Sequence, residues 1–131
     1  MKTKLKVFLS GGFKSNWQSK IIEECKDDFI FFNPKEHNIK ESQLYTTWDI
    51  HFVKECDILF AYMEETNPSG YGLTFELGVA YALNKTIILI DEKSDKDKVF
   101  DKYFQMIQNS ANVMFDSLDE GVKFLKHFAI Y

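Results

Sequence analysis

Short apolar runs recur along this chain at intervals set by helix-length segments, and that rhythm limits its possible folds more than any single motif does. The runs cover residues 5–9, 29–32, 57–63, 86–90 and 113–115 and are rich in Val, Ile, Leu and Phe. Between and after them, residues 16–25, 41–56, 73–83, 99–108 and 118–128 carry helical spacing. In the second of these segments Tyr45, Trp48, Phe52, Val53 and Cys56 fall on one side of a helix, and Asn16 is placed to cap the first. Five strands alternating with five helices predict a five-stranded parallel sheet with helices on both faces, a three-layer α/β domain of flavodoxin-like or Rossmann-like kind. Strands apolar on both sides fit burial from both faces. The 131 residues suit one domain, residues 1–131.

The same rhythm locates the working end. Ligands of such sheets bind beyond the carboxyl ends of the strands, near the point where strand order reverses. That rule selects the loops after Leu9, Asn33, Met63 and Asp91. The loop after the third strand has the strongest turn signature, with Asn67, Pro68, Ser69, Gly70 and Gly72, so the site is expected to centre on residues 67–76. Residues 33–39 and 91–98 read as polar, solvated loops.

Composition narrows the function classes. A net charge of −4 and a pI near 5.4 argue against nucleic acid as a partner, because phosphate backbones reward dense Lys and Arg. An apolar share of 45% can build a core without disulfides. Cys25 and Cys56 lie far apart among apolar positions of predicted helices and read as buried free thiols of a reducing compartment. Neither has a partner at zinc-ligand spacing, so no metal is expected. The charged N-terminus precedes an apolar run too short for a signal peptide, and no run reaches membrane-span length. A soluble cytoplasmic protein with no membrane partner is therefore expected. Thirteen Phe, six Tyr and two Trp exceed what a chain of this length needs, and could fill a core, line a pocket or cover a subunit interface. Trp17 and Trp48 read as core residues, and His37, His51 and His127 as unclustered surface or helix-packing residues.

Two carboxylates stand out. Glu76 falls in the opening turn of the third predicted helix, at helical spacing from Leu73, Ala80 and Leu83. A carboxylate on an apolar stripe is costly unless something needs it there, and the nearby helix start would favour its ionised form. The plainer alternative is an acid that only complements the helix dipole. Asp49 lies on the apolar side of the second helix, four residues after Tyr45 and three before Phe52, and its plainer alternative is a rim position in reach of water. Two acids about 5 Å apart are the equipment of retaining glycosyl transfer, one attacking the anomeric carbon and the other serving the leaving group. Ser10, Gly11, Gly12 and Phe13 follow the first strand and form either a ligand-approaching loop or an ordinary tight turn.

These residues resemble the nucleoside 2-deoxyribosyltransferase family. The segment from Gly70 to Ala82, with Gly72 and Glu76-Leu77-Gly78-Val79-Ala80, is similar to that family's glycine-containing loop and following helix. Asp49 is similar in placement to its second acid, and Val7 to Gly12 to its first strand and loop. The resemblance implies that Glu76 attacks C1′ of a deoxynucleoside, that the 2-deoxyribosyl ester passes to a second base or to water, and that no cofactor takes part. It also implies a homo-oligomer. The segment from Ser110 to Asn112 resembles one that a neighbouring subunit lends to the site, and the final Tyr131 stands where transferases of this type can reach the pocket.

Two departures bear on the reaction. Phe8 stands where the family often has a Tyr that hydrogen-bonds the nucleophile, a role that Tyr62 or Tyr71 could take over. Ser69 and Gly70 stand where transferases carry a further acid. A Ser there looks more like the related nucleotide N-hydrolases, whose serines hold a 5′-phosphate, with Ser10, Ser69 and Lys14 as the candidates here. Base exchange, nucleotide hydrolysis and binding without turnover all remain open from the residues alone.

Overall fold

The computed structural model describes residues 3–129. The elements follow in the order β1 (Lys6–Gly11), α1 (Trp17–Glu24), β2 (Ile30–Phe32), α2 (Ser42–Glu55), β3 (Ile58–Met63), α3 (Tyr71–Ala82), β4 (Thr86–Asp91), α4 (Lys98–Ser110), β5 (Val113–Phe115) and α5 (Leu118–Lys126). All strand pairs are parallel and the sheet order is β2-β1-β3-β4-β5. This is the expected α/β architecture, and strand order reverses between β1 and β3.

Strand alternation divides the core in two. Val7, Leu9, Ile58, Phe60, Ile88 and Ile90 pack with Trp17 and Ile21 of α1 and with Val122 and Leu125 of α5. Phe8, Leu59, Ala61, Met63, Ile87 and Leu89 pack with Val53 of α2, Leu73, Leu77 and Ala80 of α3, and Phe104 of α4. Both faces of the central strands β1, β3 and β4 are thus covered, while the short edge strands β2 and β5 are partly exposed at Ile30 and Met114.

Several boundaries differ from the sequence reading for local physical reasons. α3 begins at Tyr71 rather than Leu73, after Gly70 in the left-handed region (φ 74°). A Cβ at Gly70 would overlap the end of the Met63 side chain, so the turn needs a residue without one. Asn16 occupies the N-cap position of α1 but makes no capping bond, and its Oδ1 instead accepts from Lys35 Nζ at 3.0 Å. Cys25 and Cys56 are buried and free, just past the ends of α1 and α2 rather than inside them. The two loops expected to be plain and solvated are partly built in. Pro34–Glu36 is a 3₁₀ turn capped by Asn33, whose side chain accepts from the Lys35 N–H. Ser94–Lys96 is another, and Asp91 and Ser94 are buried beneath it. Asp91 Oδ1 accepts from the backbone N–H groups of Lys93 and Ser94, so the acid satisfies its own loop. Among the described residues no helix is long and apolar enough to cross a membrane.

Candidate active site

The site forms where β1 ends under α3. Ser10 follows Phe8 on the same face of β1, the face that α2, α3 and α4 cover. On α3, Leu73, Glu76, Leu77 and Ala80 share the buried stripe, so Glu76 is carried down onto the strand end with 8% of its surface exposed. Ser10 Oγ donates a 2.6 Å hydrogen bond to Glu76 Oε1. From α2, Asp49 brings its carboxyl group close enough to that of Glu76 for each to perturb the other's protonation. The structure therefore brings together the two acids that the sequence singled out.

Their protonation follows from their surroundings. Burial pushes Glu76 up to about 8, the Asp49 charge adds to the rise, and the Ser10 hydroxyl opposes it. Asp49 is also raised by burial, and its hydrogen bond with His37 opposes the rise. Each acid thus makes it harder for the other to ionise in this buried place, and Glu76, the more deeply buried of the two, is pushed up further. This corrects the expectation that the helix start favours ionised Glu76. Glu76 is the sixth residue of α3, beyond the first turn where the dipole acts, and desolvation outweighs it.

His37 corrects a second expectation. It is no isolated surface residue: its Nε2 lies 3.1 Å from Asp49 Oδ1, and the ring packs edge-on against Trp48 at 4.7 Å. Its position in a loop gave no periodic signal. The clue was its place after Asn33-Pro34, on the loop that follows β2 at the working end of the sheet. His51 and His127 are exposed, as expected.

A pocket of about 560 Å³ opens above Asp49, lined also by Phe13, Lys35, His37, Lys40 and Tyr45. Phe13, half exposed, is the aromatic member of the β1 loop that reaches it. Gly11 leaves no room for a side chain, since a Cβ would lie 2.7 Å from the Tyr62 carbonyl oxygen. The Gly12 carbonyl accepts from Trp17 Nε1 at 2.9 Å and Gln18 Nε2 at 3.0 Å, which pins the loop. Gly12, Phe13 and Lys14 also border a smaller hollow of about 90 Å³ with Glu64 and Asn67.

Other candidates lie elsewhere. Ser10 turns its hydroxyl to Glu76. Ser69 is exposed, with its N–H on Asn67 Oδ1, and Gly72 is exposed on α3. Tyr62 donates to Glu92 and Tyr71 is 81% exposed, so neither replaces the hydroxyl missing from Phe8; Ser10 does. Phe8 is fully buried. Asn112 is engaged at the amino end of β4, where its Oδ1 accepts from Ile87 N–H at 2.7 Å, and does not reach Glu76 of its own chain. Tyr131 lies outside the described residues. Among those residues, no group of three or more His, Cys, Asp or Glu is gathered for a metal.

Comparison with known proteins places this geometry. No curated protein sequence matches the chain. Solved structures do, at identities that speak to the fold. A 2-deoxyribosyltransferase from Leishmania mexicana has a TM-score of 0.73 at 17% identity, over 94% of this chain and 97% of that one. The 2-deoxyribosyltransferase of Bacillus psychrosaccharolyticus has a TM-score of 0.65 at 21% identity, over 88% of each chain. The Clostridium botulinum CMP N-glycosidase BcmB has a TM-score of 0.59 at 21% identity, over 93% of this chain and 98% of that one. The family profile described as nucleoside 2-deoxyribosyltransferase like matches residues 4–94, a span that contains Ser10, His37, Asp49 and Glu76. The chain belongs to the nucleoside 2-deoxyribosyltransferase-like family.

Proposed function

We propose that the protein cleaves the N-glycosidic bond of a 2′-deoxynucleoside and passes the sugar, through an ester on Glu76, to another base. The observation that carries this reading is the pairing of Glu76 with Asp49 beside the pocket, with Ser10 fixing one carboxyl oxygen. The pair holds one proton between two acids. Glu76 yields that proton to Asp49 and attacks C1′ as the carboxylate; the C1′–N bond breaks and Asp49 passes the proton to the departing base. The products are the glutamyl ester, a carboxylate on Asp49 and a neutral base, so charge balances. A second base attacking C1′ reverses the step, and water in its place releases the free sugar. Membership of the family and the two transferases among the fold neighbours support the reading.

A second reading has its own support. Lys35 and Lys40 line the pocket together with Asp49, and Ser69 and Gly70 stand in place of the further acid. Two cations beside the sugar site favour a 5′-monophosphate and hydrolysis, the activity named for the Clostridium botulinum neighbour.

We also propose that the protein works as a homo-oligomer with a site completed by a neighbour. Tyr71 and Phe75 on α3 and Val99, Tyr103 and Met106 on α4 are all well exposed, an apolar surface that a second copy would cover.

The test is chromatography of base release from mixed purine and pyrimidine deoxynucleosides and their 5′-monophosphates, with and without an acceptor base. New nucleosides identify transfer. Free sugar phosphate identifies the hydrolase. Glu76→Ala should release no base while remaining folded, and full activity in that variant would overturn the assignment. Stabilisation by nucleosides without turnover would point instead to a binding domain.

A further inference from the structure

The proposed chemistry uses Glu76, Asp49 and Ser10, and leaves the histidine beside Asp49 without a task. The side chains of His37 and Asp49 are only 10% and 17% exposed, and Nε2 of the ring is the nitrogen that meets Asp49 Oδ1. The other nitrogen, Nδ1, is 3.0 Å from the backbone nitrogen of Ile39. A backbone N–H can only donate, so Nδ1 carries no proton, and in the neutral ring the proton sits on Nε2, aimed at Asp49. Trp48, the residue before Asp49 on α2, closes on the ring at 69°. The imidazole is therefore fixed in tautomer and in angle. A continuous set of donors runs from the Ile39 N–H through His37 to Asp49, which meets Glu76, itself held by Ser10.

We propose that His37 is a positioning residue that acts through Asp49: its Nε2–H aims the Asp49 carboxylate at Glu76 and stabilises its charge, so that the pair of acids carries one proton rather than two. The catalytic meaning of this rests on the reading of Glu76 as nucleophile, but the hydrogen-bond role does not. The groups facing Asp49 are His37 from the loop after β2, Glu76 from α3, and Lys35, Lys40 and Tyr45 around the pocket. Lys35 directs its ammonium to the Ser15 carbonyl and Asn16 Oδ1, at 3.1 and 3.0 Å, rather than to Asp49. Without His37, Asp49 loses the donor that stabilises its charge and binds a proton more readily. A doubly protonated pair has no nucleophile, so activity would fail at a higher pH on the acid side.

The experiment compares wild type with His37→Leu, which keeps bulk and loses the donor, and His37→Gln, whose side-chain N–H can replace Nε2–H. The Asp49 carboxyl carbon is followed by NMR against pH without substrate. A midpoint raised by about one pH unit in His37→Leu and near wild type in His37→Gln is expected, the size of one hydrogen bond to a charged group. With substrate, the acid limb of base release should shift the same way, with kcat reduced more than KM is raised, and His37→Gln should recover both. Equal behaviour of the two folded variants, or an unmoved Asp49 midpoint, overturns the proposal. Should His37→Leu not fold, ring-nitrogen NMR of the wild type decides: Nε2 protonated and Nδ1 bare is expected, and the opposite tautomer overturns it. If the wild type releases no base from any substrate, the enzymatic reading fails while the carboxyl and ring measurements still judge His37.

Discussion

Ser10 and Glu76 stand 66 residues apart in sequence and are joined by a 2.6 Å hydrogen bond at the bottom of the site. Strand geometry makes the bond available. The side chain that follows Phe8 on the α3 face must point at α3, and here it is a hydroxyl. Ser10→Ala should remove the interaction that opposes the raised pKa of Glu76. Base release is expected to slow about ten- to a hundredfold, the worth of one hydrogen bond to a charged group. Ser10→Thr should recover part of it. Single-turnover rates are the measurement, and an unchanged rate in Ser10→Ala would take the hydroxyl out of the site.

The Glu76 carboxyl makes stability depend on pH in an unusual direction. Its pKa is about 8 in the folded chain, against 4.5 for a free glutamate side chain. The folded state therefore holds the proton more tightly. The group's contribution is fully present below the unfolded value and is lost as pH rises through the folded one. Glu76→Gln copies the protonated form, so it should abolish activity and stabilise the fold. The gain should reach a few kcal/mol at alkaline pH, since each tenfold difference in proton affinity is worth about 1.4 kcal/mol, and it should fade in acid. Urea unfolding of both proteins across this pH range checks it. A gap that ignores pH would mean that Glu76 is ionised in the folded state.

The exposed aromatic surface carries a separate expectation. Tyr103 on α4 is 77% exposed and Phe75 on α3 is 59% exposed. If a second copy covers them, Phe75→Lys together with Tyr103→Lys should shift the sedimentation coefficient toward that of a monomer and lower activity, with the helical signal unchanged. A wild-type protein that sediments as a monomer at all concentrations would end this expectation.

The architecture and the two acids were legible in the sequence because both rest on periodicity. Unbroken apolar runs mark Leu59 and Ile88 as buried and helical spacing does the same for Leu77, and that spacing places Asp49 and Glu76 on apolar stripes where their cost draws notice. What pattern could not show was contact between distant segments. His37 lies in a loop, so nothing periodic tied it to Asp49, its partner 12 positions further along the chain. The charge state of Glu76 was misread for a related reason: placing the helix start two residues late put the acid in the first turn, whereas its burial depends on β1 passing beneath it. Asn112, which resembles a residue lent to a neighbouring subunit, secures the start of β4 in its own chain.

Gly70 sets the phase of α3 against β3, because the turn is left-handed and the end of Met63 fills the place a side chain would take. Each residue of an α-helix advances the side chain by roughly 100°, and Glu76 comes only six positions later. A methyl group added at position 70 would strain the left-handed turn and push the end of Met63 aside, which loosens the setting of the helix start. A modest rotation would carry the carboxylate past Ser10 and away from Asp49 together. The aim of the acid thus depends on a turn six residues away, and on the residue in it that has no side chain.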